Sequence, residues 1–234
     1  MRTPSFLKLE KSLKTYITNK EHLDLIQDAY NFALSKHEGQ FRKSGDPYIV
    51  HPVDVALILS ELHTDPTTIM AGLLHDVIED TSATFDEVKE LFGEEVALLT
   101  EGVTKLGQYK FKGKVLESTK IQAQAKNYQK MLLAMAKDIR VVIVKLADRL
   151  NNIRTLDSLP EEKQLRIANE TMDIYAPLAH RLGMNIIKAE LEDTAFKYID
   201  PATYKVIAKQ INDTKLNREA DLELMQTNID YLLS

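Results

Sequence analysis

Leu23, Ile26, Tyr30, Ala33 and His37 follow one another at steps of three and four, the interval of one face of an α-helix. Thr18 and Glu21 stand at capping-box spacing before them and Gly39 stands after, which predicts a helix between those marks. The next stretch, GQFRKSGDPYIVHP (39–52), concentrates Gly and Pro and reads as a loop. Pro52 then opens the helix PVDVALILSEL as its first residue, leaving His51 just ahead of it. Asp65-Pro66 repeats the device for a single helix PTTIMAGLLHDVIED, and Thr84 to Glu87 frames a further capping box closed by Gly93. The pattern lapses from Gly107 to Lys114 and resumes over IQAQAKNYQKMLLAMAKD (121–138).

The run RVVIVKLADRLNNI (140–153) is apolar on nearly every side at its start, so it belongs in the middle of the core. Its β-branched residues also suit a buried strand; Leu146, Leu150 and Ile153, at steps of four and three, favour a helix. Pro160 opens EEKQLRIANETMDIYAPLAHRLG, with Pro177 breaking it and Gly183 closing it, and helices over 184–198 and 201–232 end the chain. The fold class is all-α, with a boundary expected near 155–160.

Composition agrees. Gly and Pro together number 8 + 7 = 15, against about 28 for average usage in a chain this long. Absent cysteine excludes disulfides, thiolate metal sites and a thiol nucleophile. No apolar run approaches the ~20 residues of a membrane helix, and the N-terminus lacks a signal-peptide pattern; the expected location is cytoplasmic, with no membrane partner. A net charge of −5 disfavours DNA or RNA. That charge is unevenly placed: nine acids and one base lie between Asp76 and Glu101, and six lysines and one acid between Lys105 and Lys126. The lysine strip suits either a cover over a polyanionic ligand or an incidental surface loop.

His75 and Asp76 sit side by side in an otherwise apolar helix, with Glu79 a turn further on. His51 ends the Gly/Pro loop, and Asp148 lies in the most apolar helix, where a lone carboxylate is costly unless paired or metal-bound. Two imidazoles and two carboxylates suit Mn²⁺ or Mg²⁺, and after them Fe²⁺, over structural Zn²⁺. Their spacing is not local, so it does not establish the site by itself. His180 reads as packing, and His22, His37 and His63 stand outside any motif.

The set His51, His75-Asp76, Asp148 resembles the HD superfamily of metal-dependent phosphohydrolases. FRKSGDPYIVHP (41–52), AGLLHDVIEDT (71–81), VKLADRLNNIRTL (144–156) and ETMDIYAPLAHRLGM (170–184) narrow the likeness to the N-terminal hydrolase region of the RelA/SpoT homologues, from about Leu23 to Leu191. Where this chain has Asn151 most members have His, a departure expected to cost little. The resemblance implies an HD-domain helical bundle followed by connector helices, with a hydrolase domain over 1–158 and a connector over 159–234 leading to a synthetase domain that the chain lacks. It implies Mn²⁺-dependent removal of the 3′-pyrophosphate from guanosine tetra- or pentaphosphate, (p)ppGpp, giving GDP or GTP. Carried over, His51, His75, Asp76 and Asp148 hold the metal, and Glu79 and Asp80 manage the water and the leaving group. Arg42, Lys43 and Ser44 meet the nucleotide, as do Asn152 and Thr155; Arg154 serves the phosphates or braces the acidic pair. In a parent protein the partners are the synthetase domain and C-terminal regulatory domains. The alternatives are a phosphohydrolase of another nucleotide and a non-catalytic nucleotide-binding module.

Overall fold

The computed structural model describes residues 3–107 and 137–214. The expected helix over 121–138 and most of the lysine strip lie outside them; Lys105 is described and pairs with Glu101 at 2.7 Å. Among the described residues the fold is all-α, and the only strand-like feature is a single bridge between Phe41 and Pro47. The helices are α1 (Pro4–Leu13), α2 (Lys20–Lys36), α3 (Val50–Glu61), α4 (Pro66–Leu74), α5 (Val77–Asp80), α6 (Phe85–Phe92), α7 (Glu94–Gly107), α8 (Ile139–Arg154), α9 (Glu161–Glu170), α10 (Ala176–Arg181) and α11 (Asn185–Ile199). Residues 201–214 are also helical and almost wholly exposed.

Side-chain caps set the starts of α1, α2, α4, α6 and α8. Asp65 and Thr84 accept from the amides of Thr68 and Glu87, as an N-cap should. At α2 the cap is Asn19, accepting from the Glu21 amide, one residue after the expected Thr18. Asn is as good a cap as Thr, and the first turn simply starts later. α3 starts earlier than Pro52, at Val50, so His51 lies in its first turn.

The core is built around α8, which contacts α3, α4, α7 and α11. Val142, Val144, Leu146, Ala147 and Ile153 are fully buried on it, and the helical reading of the run stands. α3 and α4 cross closely at Gly72, where an added Cβ would lie 2.5 Å from Leu59 Cδ1. That crossing seats the end of α4 beneath the site.

One helix expected to be continuous is interrupted, and the break expected at Pro177 is instead a widened turn. The chain breaks at His75-Asp76, which separate α4 from α5. Between α9 and α10, Thr171–Tyr175 form a π-helical turn in which the Ala176 amide donates to Thr171 O. Pro177 at the head of α10 has no N–H to give, and widening the preceding turn absorbs it without ending the helix. The expected boundary at residue 158 coincides with no gap in the packing. α11 contacts α8, and Ile187, Leu191 and Ala195 are buried in the same core.

Candidate metal centre

Three elements bring the expected ligands together: the first turn of α3, the break after α4, and the middle of α8. Donor atoms of His51, His75 and Asp148 all lie within 4.8 Å of one another. His51 Nε2 is 3.3 Å from Asp148 Oδ1 and 3.5 Å from Asp76 Oδ2; His75 Nε2 is 3.1 Å from Asp76 Oδ2. His75 and Asp76 stand between α4 and α5, and both side chains reach the cluster.

Both imidazoles are oriented through their far nitrogens. His51 Nδ1 donates to Asn151 Oδ1 at 2.6 Å, and His75 Nδ1 donates to Gly72 O at 2.8 Å. Each Nε2 is thereby left to offer its lone pair, the arrangement seen around metal-bound histidines. His75 Nε2 is buried and forms no hydrogen bond despite the nearby carboxylates. An orphaned buried nitrogen costs free energy unless something completes it, and together with a second imidazole and two carboxylates it fits a divalent cation.

The electrostatics point the same way. Burial opposes the charge on Asp148, but Lys145 and then the two histidines outweigh it and hold the carboxyl well below its ordinary range. Burial likewise opposes a proton on His75, yet Asp76 and Asp148 overcome it and raise the imidazole to about 9. Such a cluster attracts positive charge. Lys145 Nζ donates to Asp148 Oδ2 at 2.7 Å and Asn152 Nδ2 donates to Oδ1 at 2.6 Å. On Asp76, Oδ2 accepts from Tyr48 at 2.7 Å.

A cleft of about 530 Å³ opens over the cluster, and Glu79, Asp80, Arg42, Lys43, Asn152 and Thr155 line it. Arg42 is brought directly onto α8: its guanidinium donates to Asn151 Oδ1 and Asn152 Oδ1 at 3.2 Å and to Thr155 Oγ1 at 3.4 Å. Among the expected nucleotide contacts, two fall outside the lining. Ser44 Oγ donates to Asp46 Oδ2 at 2.8 Å within its own turn. Arg154 forms a two-armed pair with Glu190 of α11, at 2.5 and 2.7 Å, and braces that helix instead of the acidic pair. His180 is exposed while Leu178 and Ala179 beside it are buried; the packing role belongs to its neighbours.

Four residues that the sequence did not single out matter here. Tyr48, Lys145 and Asn151 each bond a proposed ligand, and His37 stacks on the Tyr48 ring with centroids 4.5 Å apart. Asn151 is far from inconsequential, since it orients His51 and receives Arg42 at one oxygen. The available signal was Lys145 and Asn151 lying three residues either side of Asp148, within a turn of it. Beyond α8 the cleft continues to α9 and the π turn, where Arg149 lies 4.0 Å from the Tyr175 ring centre and pairs with Glu170 at 3.1 Å.

The HD domain family matches residues 29–185. Three curated relatives are similar over most of the chain. A GTP pyrophosphokinase of Myxococcus xanthus is 53% identical over 86% of this chain and 26% of its own length. A guanosine-3′,5′-bis(diphosphate) 3′-pyrophosphohydrolase of Aquifex aeolicus is 52% identical, over 90% and 29%. The bifunctional (p)ppGpp synthase/hydrolase SpoT of Escherichia coli is 47% identical, over 96% and 31%. The chain therefore spans under a third of the length of these relatives. The metal cluster, the helical bundle around it and the length of the match agree that this chain belongs to the HD-domain family, among the RelA/SpoT homologues.

Proposed function

We propose that this chain hydrolyses ppGpp and pppGpp at the 3′ position, giving GDP or GTP and pyrophosphate, with Mn²⁺ held by His51, His75, Asp76 and Asp148. The observation that carries the reading is that one cleft is lined by His51, Asp76 and Asp148, by the acidic pair Glu79 and Asp80, and by Arg42, which bonds α8, with His75 buried against Asp76. The activities for which the Aquifex and Escherichia relatives are named support the choice of substrate.

The bound ion supplies Lewis-acid stabilisation of a phosphoryl oxygen and a water acidic enough to attack at neutral pH. Water attacks the phosphorus attached to the ribose 3′ oxygen, and the bond from that phosphorus to the 3′ oxygen breaks. Glu79 or Asp80 takes the proton from the attacking water, and a proton is returned to the departing 3′ oxygen. Arg42, Asn152 and Thr155 hold the nucleoside end. Lys43 and Arg166 line the cleft and form no ion pair among the described residues, so they are suited to a ligand carrying four or five phosphates. The acidic net charge does not oppose such a ligand, because a divalent cation reverses the local sign.

In a parent protein we infer an adjoining synthetase domain, from the synthase activity in the Escherichia relative's name, and C-terminal regulatory domains. No helix among the described residues is long and apolar enough to cross a membrane, in keeping with a cytoplasmic enzyme. Incubation with ppGpp, pppGpp and a panel of other nucleotides tests the reading. Release of pyrophosphate from the two alarmones, dependent on Mn²⁺, is expected; preference for an ordinary nucleoside triphosphate overturns it.

A further inference from the structure

α5 carries both members of the acidic pair, yet it is one turn long and follows a break in the chain. A single helical turn has no stability of its own, so something else must fix where Asp80 points. The structure supplies a closed ring of contacts. Gln40 Nε2 donates to Asp80 O at 3.1 Å, and Gln40 Oε1 meets His37 Nδ1 at 2.8 Å. The buried His37 ring stacks on Tyr48, 25° from parallel. Tyr48 OH lies 3.0 Å from Asp80 Oδ2 and 2.7 Å from Asp76 Oδ2, and its backbone amide donates to Gln40 O at 2.9 Å. Gln40 and Tyr48 are also the two ends of the hairpin that carries Arg42, whose amide donates to Asp46 O at 2.8 Å.

We propose that Tyr48 is a positioning residue that locks Asp80 to the nucleotide loop through the ring Gln40–His37–Tyr48–Asp80. The phenol has one proton to share between two carboxylates that would otherwise repel each other. It holds the acid of α5 close to the ligand Asp76 while leaving the four ligands in place. The hairpin that meets the nucleotide and the carboxylate that meets the water consequently move as one unit. A nucleotide that fits the hairpin poorly is discriminated against in kcat as well as in KM. The proposal rests on the hydrolase reading above for its kinetic consequences, but not for its structural ones.

Tyr48→Phe keeps the ring on His37 and removes the hydroxyl; Gln40→Ala removes the tie to the Asp80 backbone. Three measurements suffice: steady-state kinetics with ppGpp, Mn²⁺ affinity by calorimetry, and amide exchange over residues 77–81. For Tyr48→Phe we expect kcat to fall roughly 10- to 100-fold, the scale of a displaced general base, with KM and Mn²⁺ affinity within about threefold. Exchange over 77–81 should accelerate about tenfold or more in both variants. The double variant should lose less than the product of the single losses, since both open the same ring. Unchanged exchange in Tyr48→Phe, or kcat within about twofold of wild type, overturns the proposal. A fall in Mn²⁺ affinity matching the fall in kcat also overturns it, because Tyr48 would then act through Asp76. If the wild type does not hydrolyse ppGpp, the functional reading fails and the exchange data decide the proposal alone.

Discussion

Individual side chains at the centre divide into the proposed metal ligands and those that aim them. Asp148 is a proposed ligand; Asp148→Ala should abolish turnover and leave Lys145 as a buried cation without its partner. Asn151 only aims. Asn151→Ala should weaken Mn²⁺ binding about tenfold, the usual cost of removing a partner behind a metal-bound histidine, measured by calorimetric titration. Binding should also depend on pH. With its pKa raised to about 9 by Asp76 and Asp148, His75 carries a proton at neutral pH that the ion must displace. Metal affinity should rise with pH, about tenfold per unit, until roughly 9. Titrations in buffers of different ionisation enthalpy should show about one proton released per ion at pH 7.5; none released would mean that His75 is already neutral. The four proposed ligands were readable as a set only because they matched a known family pattern. Tyr48 and His37 were not, since a ring stack and a bond between the 40–48 loop and α5 leave no periodic trace. Ser44 and Arg154 bond Asp46 and Glu190 instead of lining the cleft, which spacing alone does not reveal.

Helix starts were read well where a polar cap and a proline coincide, as at Asp65-Pro66. They slipped where two capping residues stood side by side, as at Thr18 and Asn19. The breaks were harder. Nothing in LLHDVIED lacks helical propensity, so the interruption at His75-Asp76 arises from tertiary demands at the site. Energetically α8 matters most, and Leu146→Ala there should cost about 2–5 kcal/mol in chemical denaturation. Its N-cap gives a pH signature. Arg140 donates to Asp138 and holds its carboxyl below the ordinary 3.8. A depressed carboxylate stabilises the fold above its unfolded pKa and loses that contribution as pH falls through the folded value. Asp138→Asn should therefore be less stable than wild type at pH 7, and the difference should shrink towards zero as pH falls through the depressed folded value, followed by thermal melting.

At the scale of the whole molecule the bundle does not stop where the sequence suggested. Tyr175, Leu178, Ile187 and Leu191 are buried in the core that α8 organises, and α9 and the π turn complete the cleft. A chain cut after residue 158 should expose that apolar surface and aggregate or lose cooperative unfolding, whereas one ending near residue 200 should melt cooperatively. Hydrolysis should need nothing beyond this body, because every proposed ligand, acid and nucleotide contact lies between Arg42 and Arg166.

The most direct measurement is pyrophosphate release from ppGpp by this chain, with and without Mn²⁺, alongside Asp148→Ala. Stoichiometric GDP and pyrophosphate from the wild type with Mn²⁺, and none from the metal-free protein or the variant, is the predicted result. No turnover by a wild type shown to bind Mn²⁺, or undiminished turnover by Asp148→Ala, would contradict it.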